Sequence, residues 1–580
     1  MKFRTMTLAS VALTVGITTL AAGCGTTTTT SAGAGHPLTP HKGGTLTVAL
    51  PSDTNINWYI PMTNAANDQV YNGWLQDQIY KPLIHLNDAY QIVWKQSVAS
   101  KITYNKQGTV YHVFIGKNWK WSNGMPVTAQ DLLFTYNAIK AASASKVAQP
   151  WPFVGAGTGD IPFGVQSAVA TNNHEVTFTL KKPVNQQWFI YNGLIQLTPM
   201  PAKALDKYGS NWTKEVKYLG SIATNPATAK MASDGPFILK SATPNQNWVL
   251  APNKNYGGHK ASVSKLVFAY ESSNTAEFAA LKSGNVNLGY IDPSQLGASK
   301  ALTSQGDKIF PGYSLGVFWT EMNMWPKSPA KTIFDHLYVR QALMESINQQ
   351  AIIKHIDHGY AVPQYGPLPG TPKTKYYSAS AEPIIPYNLS AAKKLLTSHG
   401  WHEVNGVMTK GGQKMQWTML YVTGLQSELQ QVQFMKQEWA KIGVQVTLKG
   451  EGFNQFISMT SNKSNTSWQL ANGSGWIYNG PGWMPTGGQL FSSTAPSGTG
   501  YANSHENALI AATHVPYATQ ADFMKAFFSY EAYTAKQLPF LWQPNPATIN
   551  VAANTVIGAQ KYSNPTTGNP SYNWMQIANK

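Results

Sequence analysis

The sequence predicts a mixed α/β or α+β protein with two or three domains, and three observations support this. The chain has 580 residues, whereas a single hydrophobic core stops growing at about 250–300 residues. It is 43% hydrophobic, with 19 Trp and 28 Tyr, which is enough to fill large cores and excludes general disorder. Segments with strand periodicity and segments with helix periodicity alternate without a fixed repeat, which excludes solenoids and propellers.

The first residues are typical of a secretory signal. Lys2 and Arg4 precede an apolar stretch, Met6–Leu20, which is too short for a comfortable membrane span of roughly 20 residues. The small residues that follow lead into Cys24 and resemble the lipobox of bacterial lipoproteins, although Ala21 takes the usual Leu place. The resemblance implies that Cys24 is acylated and becomes the mature N-terminus. A plain signal peptide with an incidental cysteine is the alternative.

The segment after Cys24 contains five consecutive Thr followed by Gly, Ala, Pro and Ser. Such residues bury too little apolar area to order themselves. We therefore predict a signal peptide over residues 1–23, a flexible tether over residues 24–42 and a folded body from Gly43. Cys24 is the only cysteine, which excludes a disulfide framework and a cysteine-rich zinc site.

Apolar residues that alternate with polar ones predict strands. These residues are Leu46, Val48 and Leu50; Tyr111, Val113 and Ile115; Val176, Phe178 and Leu180; and Val444, Val446 and Leu448.

Four segments have helical signals. A capping box of Thr128 and Asp131 starts the first, and Asp335 is expected to cap a second whose core face is Val339, Leu343 and Ile347. The others are a helix from Ser390 to His399 that stops at Gly400, and an amphipathic helix over residues 426–442 that ends at Gly443.

Candidate catalytic and metal sites are weak. GYSLG, from Gly312 to Gly316, matches a nucleophile-elbow string around Ser314, but the residues that follow predict a strand where the elbow needs a helix. His355 and His358 lack a third ligand at a suitable spacing. We expect no catalytic residue, no metal and no cofactor.

An aromatic-rich region without acidic residues extends from Gly452 to His505. It contains Trp468, Trp476, Tyr478, Trp483 and Tyr501 among glycines. Such a region suits stacking against an enclosed ligand better than proton transfer. The alternative is that these aromatic side chains fill a core.

The chain carries a formal net charge of +17, although charged residues make up only 12% of it. The basic residues are scattered, without a run or a reader motif, so nucleic-acid binding is not expected. Scarce carboxylates mean few native ion pairs to lose on acidification. We therefore hypothesise that the scarcity of acidic residues adapts the protein to acidic surroundings.

Five segments, in the same order, resemble the family 5 extracellular solute-binding proteins, the oligopeptide-, dipeptide- and nickel-binding components of ABC importers. The first carries a tryptophan and a Ser-Asn-Gly turn before a Thr-Ala-x-Asp helix start. The second carries a Gly-Pro-aromatic strand, and the third a Leu-x-Ser-Gly turn. The fourth carries a Val-Arg-x-Ala-Leu helix, and the fifth a helix ending in Gly-Trp. The segments are Lys117–Lys140, Ser233–Gly258, Leu281–Ile291, Phe334–Gly370 and Tyr387–Trp401.

The resemblance implies an α/β, two-lobe fold like that of the periplasmic binding proteins, of type II and similar to cluster C, with an extra subdomain in the first lobe. The expected first lobe is residues 43–318 plus 541–580, with the inserted subdomain at about 85–190. The expected second lobe is residues 319–540. Closure on a ligand would be a population shift between open and closed forms.

One departure concerns the ligand. Peptide-binding members have a Gly-Trp-x-x-Asp-Tyr-like segment whose carboxylate pairs with the peptide α-amine. Here the corresponding segment, Gly475–Pro481, keeps Trp476 but has Asn479 near the position of the acid. Because no acid follows nearby in the sequence, ordinary peptides with a free N-terminus are less expected. The expected ligand-binding residues are Trp58, Trp319, Trp476, Tyr478, Asn479 and Trp483.

The resulting hypothesis is a substrate-binding lipoprotein of an ABC importer that captures oligopeptides or a related solute between its lobes. Its partners would be the ligand, the membrane permease subunits and the membrane, through an anchor on Cys24. We expect a monomer on the outer face of the cytoplasmic membrane, or in the periplasm if an outer membrane is present. The alternatives are the same fold binding an oligosaccharide, and a secreted hydrolase.

Overall fold

A seven-stranded sheet is the largest sheet in the computed structural model, which describes residues 39–382, 384–495 and 499–578. Its central strand, Thr45–Ala49, buries Leu46 and Val48 as predicted and runs parallel to both of its neighbours. The other pairs are antiparallel. In spatial order the strands are Lys308–Gly312, Thr548–Ala552, Leu288–Ile291, Thr45–Ala49, Lys265–Ala269, Asn247–Pro252 and Phe237–Thr243.

A four-stranded antiparallel sheet lies within the segment expected to form the inserted subdomain. Its strands, in spatial order, are Ala99–Tyr104, Val110–Ile115, Glu175–Leu180 and Val165–Asn172. The alternation predicted at the second and third of these is confirmed.

The helix Ala129–Ala142 contacts this sheet and begins at the predicted capping box. The Asp131 carboxylate accepts hydrogen bonds from the Thr128 amide at 2.8 Å, the Ala202 amide at 3.0 Å and the Trp121 indole at 3.3 Å. One side chain therefore starts the helix and also joins it to the loop of Trp121 and to the start of the short helix Ala202–Leu205.

A five-stranded mixed sheet is built from the second half of the chain. In spatial order its strands are Gln445–Glu451, Gln416–Val422, Leu470–Ile477, Gly316–Met322 and Leu541–Trp542. The predicted helix is confirmed as Gln426–Lys441, and it buries Val432, Met435 and Trp439. Gly443 then adopts a φ of +81°, a left-handed conformation that glycine adopts without steric cost.

The remaining elements of the described residues cover these sheets. The longer helices are Val70–Ile79, Trp212–Ile222, Asn274–Ser283, Leu337–Glu345, Gln349–His355, Leu389–Ser398, Phe453–Ser461, Ser504–Ala512 and Gln520–Gln537. The short α-helices are Gln186–Trp188, Ala202–Leu205, Lys300–Thr303, Lys331–Phe334 and Ala559–Tyr562. A π-helical turn spans Phe189–Gly193, and 3₁₀ turns span Trp94–Gln96, Thr158–Asp160, Leu194–Gln196, Thr228–Lys230, Pro293–Ala298, Gly480–Gly482 and Tyr572–Trp574.

Three small sheets complete the secondary structure. Their strands are Pro40–His41, Gln576–Ala578 and Val556–Ile557 in the first; Ala361–Val362 and Asn545–Pro546 in the second; and His402–Val404, Val407–Lys410 and Gln413–Lys414 in the third. Over the residues described, no helix combines the length and apolar character that crossing a membrane requires.

Two details of the sequence prediction were wrong. Asp335 does not cap the following helix: it ends the short helix Lys331–Phe334 and pairs with Lys331 at 2.8 Å, while His336 precedes the helix Leu337–Glu345. The flexible segment was also expected to reach residue 42, yet Pro40–His41 pairs with the last described strand. This pairing depends on residues far away in the sequence, which local composition does not reveal. The predicted signal peptide and Cys24 lie outside the described residues.

The chain passes between the two large sheets at two places. Gly312 ends a strand of the seven-stranded sheet and Gly316 begins one of the five-stranded sheet; Trp542 and Thr548 make the return crossing. Both crossings lie near the expected limits of the lobes. The division into lobes stays a prediction.

Candidate functional site

A cavity of about 440 Å³ lies between the five-stranded sheet and residues from the first 200 of the chain. Its volume is within the range of about 300–1,000 Å³ that is usual for ligand pockets. Its walls come from residues 61–86, from Phe153 and Ile195–Thr198, from residues 318–325, and from residues 453–483, with Asn569 at one side. Four of the six residues predicted to bind ligand, Trp319, Trp476, Asn479 and Trp483, line it together.

A bulge between two strands shapes this wall. Trp319 lies opposite Ser474 and Thr320 lies opposite Asn472, so that Gly473 is an extra residue with a φ of +100°. A Cβ atom on Gly473 would lie 2.9 Å from Val422, so the site has room only for glycine. A bulge bends a strand and changes the direction of its side chains, and here it lies in the cavity wall.

Three indole N–H groups in the wall have no hydrogen-bond acceptor among the described residues. They belong to Trp319, Trp325 and Trp476, and the Ser474 hydroxyl is also without a partner. A buried donor without an acceptor costs about 1–3 kcal/mol. Residues of the cavity wall therefore carry four buried donors for which the described residues supply no acceptor.

The loop Tyr478–Trp483 is fixed by contacts with distant segments. The Tyr90 hydroxyl donates to the Tyr478 carbonyl at 2.6 Å, and the ring of Tyr90 lies 5.6 Å from that of Trp483 at an interplanar angle of 73°. Asn479 Nδ2 donates to the Thr567 carbonyl at 2.9 Å. The amide of Asn479 is thus already engaged in holding the loop.

Two predicted ligand residues lie away from this cavity. Tyr478 is buried, donates to the Pro367 carbonyl at 2.7 Å, and lines a second cavity of about 370 Å³ that shares Trp476 with the first. Trp58 is 1% exposed, donates to the Met62 carbonyl at 2.8 Å and packs edge-on against Trp151. Its surroundings are those of a core residue.

Hydrogen bonds cross from the far end of this loop to the first part of the chain. Asn192 donates to the Met484 carbonyl at 2.8 Å and accepts from its amide at 2.6 Å. Gln489 donates to the Val154 carbonyl at 2.7 Å. The region rich in aromatic residues is therefore joined to the opposite wall of the cavity in this structure.

Acidic residues from other segments of the chain also line the cavity. Asp68, Asp77 and Glu321 all contribute to its walls, although none belongs to the segment from Gly452 to His505. The expectation from the sequence concerned only the chain neighbours of Trp476, whereas these acids reach the cavity from other segments. Burial raises the pKa of Asp68 and of Asp77 to about 6, and that of Glu321 to about 8.

Trp325, Ser474 and these acids also line the cavity and were not predicted from the sequence. Trp325 follows the strand Gly316–Met322 by three residues, so its position after a strand was a usable signal. The position of Ser474 in the cavity wall depends on the bulge. The only trace of this bulge in the sequence is the pair of glycines that flank Ser474.

No group of three or more His, Cys, Asp or Glu side chains in the described part of the chain could hold a metal ion. Ser314 lies between two strands rather than between a strand and a helix, so GYSLG does not form a nucleophile elbow.

The sequence of this chain matches a known protein family. Residues 94–498 match the bacterial extracellular solute-binding proteins, family 5. The chain belongs to this family. Members are extracellular binding proteins, and the chain is 26% identical over 433 residues to the oligopeptide-binding protein OppA of Lactococcus lactis subsp. cremoris, covering 70% of this chain and 69% of that one.

Solved structures with the same fold confirm the predicted α/β fold of a periplasmic binding protein. The oligopeptide-binding protein AppA from Bacillus subtilis, solved in complex with a nonapeptide, superposes with a TM-score of 0.79 at 19% identity, over 93% of this chain and 100% of that one. The periplasmic EDTA-binding protein EppA superposes with a TM-score of 0.75 at 16% identity, over 93% and 98%. One fold therefore serves chemically different ligands, so the ligand has to be argued from the cavity.

Proposed function

We propose that this protein is the substrate-binding component of a peptide-type ABC importer. It takes up an oligopeptide in the cavity between the five-stranded sheet and the opposite wall, and delivers it to permease subunits in the membrane. It acts by binding alone, as a monomer held at the outer face of the membrane through an acylated Cys24. The names of its relatives, which bind oligopeptides, support this ligand class.

The observation that carries the proposal is the set of donors without acceptors in the cavity wall. The indole N–H groups of Trp319, Trp325 and Trp476 and the hydroxyl of Ser474 lie in the wall of one cavity. An extended peptide presents a carbonyl acceptor at every residue, about 3.3 Å apart along the chain. Peptide carbonyls could therefore supply the acceptors that these donors lack, once the side chains turn towards a bound ligand.

Aromatic side chains supply the apolar part of the site. Trp319 stacks on Phe540 with ring centroids 4.3 Å apart, and Trp483 packs edge-on against Tyr90. Rings held in this way lose little conformational freedom on binding, which favours affinity. An oligosaccharide could also stack on such rings, so oligosaccharides are the competing class of ligand in the binding assays.

Binding should be measured by titration calorimetry and by tryptophan fluorescence, using panels of peptides and of oligosaccharides. Trp→Phe changes at Trp319, Trp325 and Trp476 remove the N–H donor but keep an aromatic ring. Each is expected to weaken peptide binding by about five- to tenfold, because one hydrogen bond is worth about 1 kcal/mol or slightly more.

Trp468→Phe is the matched control. Its indole also lacks an acceptor, but it is fully buried in a separate apolar cluster and lies outside the cavity lining. We expect it to leave peptide affinity unchanged. Strong responses to oligosaccharides with none to peptides would refute the proposed ligand class, and turnover of a bound peptide would refute binding without chemistry.

A further inference from the structure

Glu321 is a buried carboxyl group that faces the cavity without a partner. It is the sixth residue of the strand Gly316–Met322, two positions after Trp319, and it is 8% exposed. It lines the cavity, and its side chain has no hydrogen bond or ion pair with any other residue that the structure describes. Burying a carboxylate is costly unless it is paired. The site therefore favours either a neutral acid or a bound cation.

The other ionisable groups of the cavity each have a partner or a compensating charge, or stay neutral. Asp68 accepts from the Thr63 hydroxyl at 3.2 Å, and the charge of Lys81 partly offsets the burial of Asp77. Lys463 Nζ lies 4.7 Å from the ring centroid of Trp325 and forms no ion pair with Glu321. Burial lowers the pKa of His85, so this side chain stays neutral at physiological pH. Glu321 is thus the acid in this wall that no group among the described residues compensates.

We propose that Glu321 binds a cationic group of the ligand, an ammonium or a guanidinium, in the part of the cavity lined by Trp319 and Trp325. This inference rests on the proposed function and deepens it, because it makes a positive charge on the peptide a determinant of selection.

The position of Glu321 separates this contact from the Trp476 segment. Trp476 lies opposite Val317, four residues before Glu321 on the same strand. At about 3.3 Å per residue, the two positions are roughly 13 Å apart. Along an extended peptide this distance corresponds to about four residues. The ligand residue whose cationic group binds Glu321 is therefore a different one from the residue that contacts Trp476 and Asn479.

Ligand binding at this site would be linked to proton release. Since burial raises the pKa of Glu321 to about 8, the carboxyl group is mostly protonated at pH 7 before the ligand binds. A bound cation favours the ionised form. Binding of a cationic peptide at pH 7 should release about one proton, and the affinity should rise between pH 7 and pH 8. A neutral peptide should show neither effect.

The test is titration calorimetry at pH 7 in two buffers of different ionisation enthalpy, which gives the number of protons released. Three hexapeptides with otherwise identical sequences are compared: one with a free α-amine, one N-acetylated and without Lys, and one N-acetylated with a single Lys. The first and third distinguish an α-amine from a side chain as the source of the cation. Glu321→Gln keeps the size of the side chain and removes its charge.

The control is Glu506→Gln, which changes another buried Glu with a pKa raised by burial, to about 7, but outside the cavity. We expect Glu321→Gln to weaken binding of at least one cationic peptide by about tenfold or more and to abolish its proton release. Binding of the neutral peptide should be unaffected, and Glu506→Gln should behave like the wild type.

Wild-type proton release keeps the inference testable even if Glu321→Gln does not fold. Tight binding of all three peptides with equal affinity and no proton release would overturn the role of Glu321 and leave the proposed function intact. If the wild type binds no peptide at all, the proposed function fails, and the inference fails with it.

Discussion

Two buried glutamates outside the cavity make a strong prediction about stability and pH. Glu382 and Glu531 are both almost fully buried, and burial together with the neighbouring charge of Glu531 raises the pKa of Glu382. The Leu368 amide donates to Glu382 at 2.9 Å and the Ser378 amide donates to Glu531 at 3.2 Å. Two carboxyl groups in contact can form a hydrogen bond only if at least one is protonated.

The size of the effect follows from the pKa of Glu531, which burial raises from 4.5 to about 8. One unit of difference in pKa between the folded and the unfolded chain is worth about 1.4 kcal/mol, so the upper limit for Glu531 is roughly 5 kcal/mol. Because the folded-state pKa is raised, this stability is fully present below about pH 4.5. It is lost as the pH rises towards 8.

Replacing Glu531 by Gln removes this titration and keeps a hydrogen-bond donor for Glu382. We expect Glu531→Gln to match the wild type to within about 1 kcal/mol at pH 4, and to be more stable than the wild type by roughly 2–5 kcal/mol at pH 9. The assay is urea unfolding at each pH unit from 4 to 9, with the free energy of unfolding extrapolated to water.

Glu403→Gln is the control, because Glu403 forms an exposed ion pair with Lys393 at 2.8 Å. An exposed pair contributes about 0–1 kcal/mol, so this variant should follow the wild type across the whole range. Identical pH dependence of the wild type and Glu531→Gln would refute the reasoning, because it would mean that the buried pair does not hold a proton in the fold.

Three further predictions concern acid resistance, the core and the hydrogen bonds between Asn192 and Met484. Circular dichroism of the wild type should show no sharp loss of folded signal between neutral pH and about pH 3, and a sharp loss would count against adaptation to acidic surroundings. Trp58→Ala should lower the free energy of unfolding by about 3–5 kcal/mol, since Trp58 is a fully buried residue packed on Trp151; a loss below 1 kcal/mol in urea unfolding would contradict this. Asn192→Ala removes two hydrogen bonds to Met484, and should speed ligand release in stopped-flow fluorescence with little change in the association rate; an unchanged dissociation rate would contradict the role given to this contact.

The acid hypothesis gains a physical basis from the buried carboxyl groups. Burial raises the pKa of Asp234 to about 8, and that of Asp357, Glu428 and Glu506 to about 7. Each of these groups favours the folded chain most when it is protonated. The sequence suggested only that few ion pairs would be lost in acid; the structure adds that several acids stabilise the fold as the pH falls from about 8 towards 4.

Local signals predicted the elements well, because they depend on neighbouring residues. Alternation placed the strands Val110–Ile115 and Glu175–Leu180, and the capping box placed the start of the helix Ala129–Ala142. The helix over 426–442 was also correct to within a residue at each end. Asp335 was misplaced because a short helix precedes it, and an acid between two helices satisfies the signals for either one.

The cavity was only partly predictable. Tryptophans in a glycine-rich, acid-free region pointed to Trp476 and Trp483, both of which line it. Asp68 and Glu321 come from segments about 250 residues apart in the chain, and only the fold brings them to one cavity. A position after a predicted strand, such as that of Trp58, does not distinguish a side chain that faces a cavity from one packed in the core, where Trp58 lies.

The most direct test of the central claim is mass spectrometry of the small molecules that co-purify with the native protein. The protein should be isolated under non-denaturing conditions, and its ligands released by acid and sequenced by fragmentation. We predict a mixture of short peptides, lost from a variant in which Trp319, Trp325 and Trp476 are all changed to Phe and retained by Trp468→Phe. Recovery of oligosaccharides or another non-peptide solute in stoichiometric amounts, with no peptide above background, would contradict it.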